Sequence, residues 1–271
     1  MSKKISIIMG IYNCGTTLSE AIDSIINQTY DNWELIMCDD GSKDNTREVA
    51  QEYVDRFPDK MKLLINEKNM GLNYTLNCCL NEATGEYIAR MDGDDISLPH
   101  RFEKEVEVLE NNPQYAIVSS AMIMFDENGE WGKITHMAEP KKADFVRKSQ
   151  FCHAPCLVRK EAYFAVEGYS VDKKLLRVED YHLWIKMYAK GFIGFNIQEA
   201  LYKMRDDQNA QKRRSFKNRI NEARVKSIAI KEFKLPFYKY VYCLKPILLG
   251  LTPGFLYKKL HRKNSVIKDR L

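Results

Sequence analysis

Three carboxylates within four positions, Asp92, Asp94 and Asp95, close a short β-type run that begins at Tyr87. Left unpaired at a strand end, they repel one another. A hard divalent cation with oxygen ligands resolves that repulsion, and a metal held this way bridges to substrate phosphates. The alternative is an acidic turn into a helix starting near Leu98, with Asp95 or Ser97 as its N-cap. Asp39-Asp40-Gly41-Ser42 follows another apolar run. A tight turn with Gly41 at positive φ and Ser42 capping the next helix leaves a second carboxylate unexplained. A carboxylate there can accept the imide N–H of uracil. Glu179-Asp180 opens a helical pattern, either as first-turn acids favoured by the helix dipole or with Asp180 as a general base toward a hydroxyl. Gly71 opens a helix whose N-terminal amides suit a phosphate, in neither a Walker A nor a Gly-x-Gly-x-x-Gly pattern.

The elements that must position these residues alternate. Ile5–Ile11, Glu34–Cys38, Met61–Ile65 and Tyr87–Met91 read as strands. Thr17–Gln28, Asp44–Phe57 (capped by Ser42 or Asp44) and Leu72–Ala83 read as helices. A helix over Phe102–Glu110, a strand over Tyr115–Phe125 and a turn at Asp126–Gly129 follow. Farther on come a short helix over Phe145–Gln150, a strand over Leu157–Arg159 and a helix over Val178–Lys190. Such alternation predicts an α/β fold, a Rossmann-like, mostly parallel sheet with helices on both faces. Ligands bind beyond the carboxyl ends of the strands of such sheets. Tyr12-Asn13, Asp39-Asp40 and Asp92-Asp94 all fall there.

A chain of 271 residues, 45% hydrophobic, buries a full core as one large domain or one domain with an appendage. Its first residues are too quickly interrupted for a secretory leader. Seven cysteines without a Cys-x-x-Cys pair suit reduced thiols of a cytosolic protein. Cys152, His153 and Cys156 lack the further ligands a zinc site needs. Residues 203–271 hold 19 Lys/Arg and five Asp/Glu, against a whole-chain net charge of +5, so an acidic body carries a basic tail. Such a tail suits an anionic surface, nucleic acid or lipid. The basic residues of 236–262 are interleaved with long apolar runs, which argues against nucleic acid.

The segments 8–13 (Ile-Met-Gly-Ile-Tyr-Asn), 39–42, 71–77 (Gly-Leu-Asn-Tyr-Thr-Leu-Asn), 89–95 (Ala-Arg-Met-Asp-Gly-Asp-Asp) and 179–184 (Glu-Asp-Tyr-His-Leu-Trp) occur in this order. Together they resemble the family 2 inverting glycosyltransferases of the GT-A fold, most nearly the bacterial enzymes that build capsular and other surface polysaccharides. The likeness covers about residues 4–205. It implies that Tyr12 and Asp40 hold the uracil of a UDP-sugar. Asp92 and Asp94 would form an Asp-x-Asp element touching the ribose and the diphosphate-bound Mn²⁺ or Mg²⁺. Asp180 would be the base. Arg90 would pair with acidic neighbours or the donor sugar, and His153 would line the donor site or sit buried and satisfied by backbone. Gly10 departs from the commoner proline or polar residue, and no Gln-x-x-Arg-Trp element is present, which argues against a processive synthase.

The expected reaction is a direct displacement in which Asp180 deprotonates a glycan hydroxyl that attacks the anomeric carbon, with inversion. A sugar-phosphate nucleotidyltransferase would want a basic Gly-rich loop after the first strand, and residues 10–20 contain no basic residue. A catalytically inactive nucleotide-sugar binder is the other alternative. Residues 1–205 form the expected catalytic domain and 206–271 a basic, partly amphipathic helical extension. Its longest uncharged stretch, Pro246–Tyr257, is 12 residues, short of the ~20 that span a bilayer. The expectation is contact with the inner face of the cell membrane near a lipid-linked acceptor, with self-packing or a dimer interface as the alternative.

Overall fold

The computed structural model describes residues 2–206 and 216–251. Nine strands form one sheet in the order β3 (Met61–Ile65), β2 (Trp33–Asp39), β1 (Ile5–Ile11), β4 (Tyr87–Arg90), β8 (Leu157–Arg159), β6 (Tyr115–Asp126), β9 (Ile193–Arg205) and β5 (Ile96–Ser97). The remaining strand, β7 (Gly129–Ile134), extends β6 as a hairpin across the expected turn at 126–129. Strands β3, β2, β1 and β4 are mutually parallel. Strand β8 enters antiparallel to both β4 and β6, so β6 and its parallel partner β9 run with the first four. The sheet is mostly parallel, as the alternation predicts.

Strand β1 shows why the sheet must be covered twice. Ile5, Ile7, Met9 and Ile11 join one buried cluster, while Ile8 joins another. The first face is packed by α1 (Leu18–Ile26), α2 (Thr46–Arg56) and α4 (Arg101–Asn111), which contribute Leu18, Ile22, Ala50, Phe102 and Leu109. The second is packed by α3 (Leu72–Glu82), α5 (Lys160–Ala165), α6 (Glu179–Ala189) and α7 (Phe216–Glu232) through Leu76, Ala162, Trp184 and Val225. Helix α7 thus belongs to the core, with Val225, Ala229 and Ile230 buried, so the basic region begins as part of the body. After it come a 3₁₀ turn at Phe237–Tyr240 and α8 (Val241–Gly250). Among the described residues no helix is long and apolar enough to cross a membrane. Of the apolar segment 236–262, positions 252–262 lie outside the described residues.

Several local expectations are corrected. No helix starts near Leu98. Pro99 biases its predecessor to extended backbone, Ile96–Ser97 becomes β5, and α4 begins at Arg101 after His100. Asp95 and Ser97 are therefore not N-caps. Neither Ser42 nor Asp44 caps α2 from the N-cap position, which is Asn45. Ser42 Oγ instead accepts the Asn13 amide, and Asp44 accepts the Thr46 amide. The expected helix at 145–150 is a 3₁₀ turn at Lys142–Val146, and the amide of the preceding Lys141 donates to the Asp144 carboxylate.

Candidate active site

The carboxylates that sequence reasoning treats as one repelling cluster have separate surroundings. Asp92 is clamped by the buried Arg90 guanidinium, Nε to Oδ1 at 2.8 Å and Nη2 to Oδ2 at 3.2 Å. Asp95 is buried and accepts the Arg205 amide at 2.8 Å. Burial first, then the charges of Asp92 and Asp94, push its carboxyl well above the usual range. Tyr202 Oη bonds Asp95 and accepts the Asp92 amide at 3.3 Å. Asp94 is half-buried, and its carbonyl accepts Arg205 Nε at 3.0 Å. The repulsion is thus relieved within the protein, by an ion pair and by burial of one acid.

Among the described residues no three metal-binding side chains gather. A small hard cation that shares its shell with substrate phosphates and waters needs only one or two protein carboxylates. Asp94, with Asp92 two residues away, matches that donor set.

At the end of β2 the two aspartates also divide the work. Asp39 accepts the Ser42 amide and pairs with Arg47 at 3.1 Å. Asp40, itself buried, accepts Asn66 Nδ2 and the Met70 amide on Oδ1 and the Gly71 amide on Oδ2, at 2.8–2.9 Å. The Gly71 amide expected to meet a phosphate is therefore already bound. The anion at the N-terminus of α3 is Asp40 itself, which satisfies orphan amides and complements the helix dipole. Gly71 has φ +91°, a conformation natural to glycine, with open space where a Cβ would lie. Tyr12, just beyond β1, is 45% exposed at this edge.

The other wall is α6. Asp180, its second residue, is half-buried. Burial and then the charge of Glu179 push its carboxyl up to about 6, against the opposing pull of Arg90. Arg90 therefore faces Asp92 and Asp180 together. His153 Nε2 meets Tyr169 Oη at 3.2 Å, and its ring packs edge-on to Trp184 at 5.2 Å between centroids. Its bond is to a tyrosine, and not to the backbone partner that was the alternative to lining the donor site. Burial first, and Arg90 second, hold the imidazole well below its usual range, so it is neutral at pH 7. Among the described residues, His153 Nδ1 and Trp184 Nε1 are buried without a hydrogen-bond partner. Cys152 and Cys156 serve packing, the Cys156 thiol donating to the Cys152 carbonyl.

The structure therefore brings Arg90, Asp92, Asp180 and His153 into one electrostatic neighbourhood and sets Asp94 on the same turn as Asp92. Tyr12 lies at the end of β1, next to β4 in the sheet, and Asp40 at the end of β2, one strand farther. Sequence reasoning missed Tyr202 and Arg205, which hold the aspartate turn from β9. It also missed Arg101, which is wholly buried, pairs with Glu105, and donates from Nη2 to the carbonyls of Arg90, Ala154 and Cys156. An arginine one turn before a glutamate inside an apolar helical face was its only local signal.

A family model described as Glycosyl transferase family 2 matches residues 6–168. The chain is 43% identical over 260 residues to EpsE of Bacillus subtilis (strain 168), spanning 96% of this chain and 94% of that one. It is 30% identical over 257 residues to the UDP-Glc:alpha-D-GlcNAc-diphosphoundecaprenol beta-1,3-glucosyltransferase WfgD of Escherichia coli, over 94% and 96% of the two chains. Among solved structures, S. aureus TarS 1–349 in complex with UDP gives a TM-score of 0.68 at 17% identity, over 95% of this chain and 73% of that one. The mannosyltransferase PcManGT from Pyrobaculum calidifontis, in complex with GDP-Man and Mn2+, gives 0.67 at 17% identity over 97% and 80%. At such identities the likeness is one of fold.

Proposed function

This chain belongs to glycosyl transferase family 2 and has the GT-A fold, and from that premise we propose that it is a metal-dependent, inverting hexosyltransferase. It moves a sugar from a UDP-sugar to a hydroxyl of a lipid-linked glycan in surface polysaccharide synthesis. The observation that carries this reading is Asp180, a half-buried carboxylate poised near pH 6 opposite the Arg90–Asp92 pair. A general base works best with a proton affinity close to the operating pH. The likeness to WfgD, a transferase from UDP-Glc to an alpha-D-GlcNAc-diphosphoundecaprenol acceptor, supports the choice of donor and acceptor.

Each role falls to a named group. Tyr12 offers its exposed ring to the uracil face, and Asp40 Oδ2, with one donor already bound, has room to accept the imide N–H. Asp92, held by Arg90, is the ribose contact. Asp94 and Asp92 would hold Mn²⁺ or Mg²⁺, whose chemistry when bound is to neutralise charge on the departing diphosphate. Arg90 adds fixed positive charge beside the same turn and reaches the donor sugar. Neutral His153, with Nδ1 unspent, lines the sugar side of the pocket. Asp180 takes the proton of the acceptor hydroxyl as its oxygen bonds to the anomeric carbon. The bond from that carbon to the diphosphate breaks on the opposite face, so the configuration inverts. We assign this chemistry to residues 1–205, and to residues 206–271 peripheral contact with the inner face of the membrane.

The test is release of UDP from a panel of UDP-sugars, with and without Mn²⁺ or Mg²⁺, and with and without a polyprenyl-diphosphate-linked sugar. Metal-dependent release stimulated by the acceptor, with the product of inverted anomeric configuration, is expected. Pyrophosphate release from sugar 1-phosphate and UTP would mean a nucleotidyltransferase. Binding of UDP-sugars without release would mean an inactive binder.

A further inference from the structure

Residues 237, 241, 244, 248 and 251 are Phe, Val, Leu, Leu and Leu, spaced 4-3-4-3 through the 3₁₀ turn and α8. That spacing sets one stripe along a helix. All five are exposed, from 57% at Leu244 to 85% at Phe237. A buried helix face would show the reverse, and large apolar side chains left in water along one stripe mark a docking surface. The opposite face is occupied. Pro246 is buried, Cys243 and Ile247 are partly so, and Gly250 passes so close to Phe216 of α7 that a Cβ would lie 2.8 Å from its ring.

We propose that this stripe is a bilayer-docking face that lies in the plane of an anionic leaflet and holds the acceptor side of the active site against it. Charge complementarity selects the occupant. Lys234, Lys239 and Lys245 flank the stripe, and residues 233–251 contain no acid, the composition of a helix that sinks its apolar side among anionic headgroups. A second copy of this chain fits less well. A stable dimer takes roughly 20–30 residues a side, the stripe offers five, and a mirrored copy would oppose lysine to lysine.

The placement connects to the chemistry. Asn221 of α7, buried, donates to the Leu176 carbonyl, and Arg224 donates to that of Lys174. Both carbonyls belong to the segment that leads into α6. Tyr181, next to Asp180, is buried, and α6 packs directly on α7, which in turn packs on α8. One face of the α7–α8 pair thus braces the segment that presents Asp180, while the other carries the stripe. The inference deepens the proposed function, because a polyprenyl-linked acceptor delivers its hydroxyl only within reach of the headgroups.

The experiment uses the full chain and two variants, Leu244→Glu/Leu248→Glu and Lys239→Gln/Lys245→Gln. Flotation is measured with phosphatidylcholine vesicles and with phosphatidylcholine–phosphatidylglycerol vesicles, and UDP release with a short, water-soluble acceptor. The wild type should float with the anionic vesicles and lose that binding at high salt. The leucine variant should bind at least about tenfold more weakly and the lysine variant should lose the preference for anionic lipid, with soluble-acceptor UDP release unchanged in both. Flotation of the leucine variant equal to the wild type would overturn the proposal, placing any membrane contact elsewhere in the chain. So would a wild-type dimer that the variant splits, with no vesicle binding by either. Absence of UDP release from a wild type that floats as described would count against the proposed reaction and leave the docking face standing.

Discussion

Lowering the pH from 7 to 5 should cut the acceptor-directed rate about tenfold, because a base with an affinity near pH 6 goes from about 90% ionised to about 10%. The quantity to measure is kcat/KM for the acceptor, which reports the base in the enzyme before the acceptor binds. Glu179→Gln removes the neighbouring charge that raises the Asp180 carboxyl, so the acid limb should move to lower pH. Asp180→Asn keeps the shape, cannot take the proton, and should lose about 10²–10⁴-fold in transfer with UDP affinity nearly unchanged. Acid unfolding does not mimic the limb through this group. Its folded-state affinity is raised, so the folded protein holds the extra proton between about pH 4 and 6. Its contribution to stability is fully present below that window and is lost as pH rises through 6, the opposite direction to activity. A limb that stays put in Glu179→Gln, or full transfer by Asp180→Asn, would refute the assignment of the base.

Asp94→Ala should abolish the gain in UDP affinity on adding Mn²⁺ by calorimetry, while the turn keeps its bond to Arg205, which uses the Asp94 carbonyl. Tyr12→Ala should weaken UDP binding by ~1–3 kcal/mol, the range for a base stacked on an aromatic ring; unchanged affinity would remove Tyr12 from the uracil site. Arg101→Met strands Glu105 in the core and should cost ~3–5 kcal/mol in denaturant melts. That loss should grow as pH rises and Glu105 is forced to ionise, and Arg101→Met/Glu105→Leu should recover much of it.

Strands β1 to β4 and the helices between them were legible because each carries its own signal, period-two or continuous apolar runs alternating with period-3.6 stripes. The site's general position followed, since Tyr12, Asp40 and Asp92 each end a parallel strand. Pairing between polar groups was not legible. Nothing in Asp39-Asp40-Gly41-Ser42 states that Asp40 will take the Met70 and Gly71 amides some 30 residues away. Strand β9 was missed because Gln198, Glu199 and Lys203 interrupt its apolar alternation, and its partners β6 and β5 are remote in sequence. Arg205 reaches Asp95 through its own amide and the Asp94 carbonyl through Nε, partners 110 and 111 positions away, so no local motif announces it.

The bond from the Arg205 amide to Asp95 joins residues 110 positions apart, and that distance is also an interval of time. At a synthesis rate of ~5–20 residues per second, the aspartate turn leaves the ribosome roughly 5–20 s before the strand that fastens it. Throughout that interval Asp92, Asp94 and Asp95 lack Tyr202 and Arg205, although β1 to β4 have already emerged. The region matched by the family model ends at 168, also short of both. A growing chain would accordingly acquire its first four strands well before its anion-handling turn is fastened, so a nascent chain stalled before residue 205 is expected to be folded in its first half yet unable to grip a nucleotide-sugar.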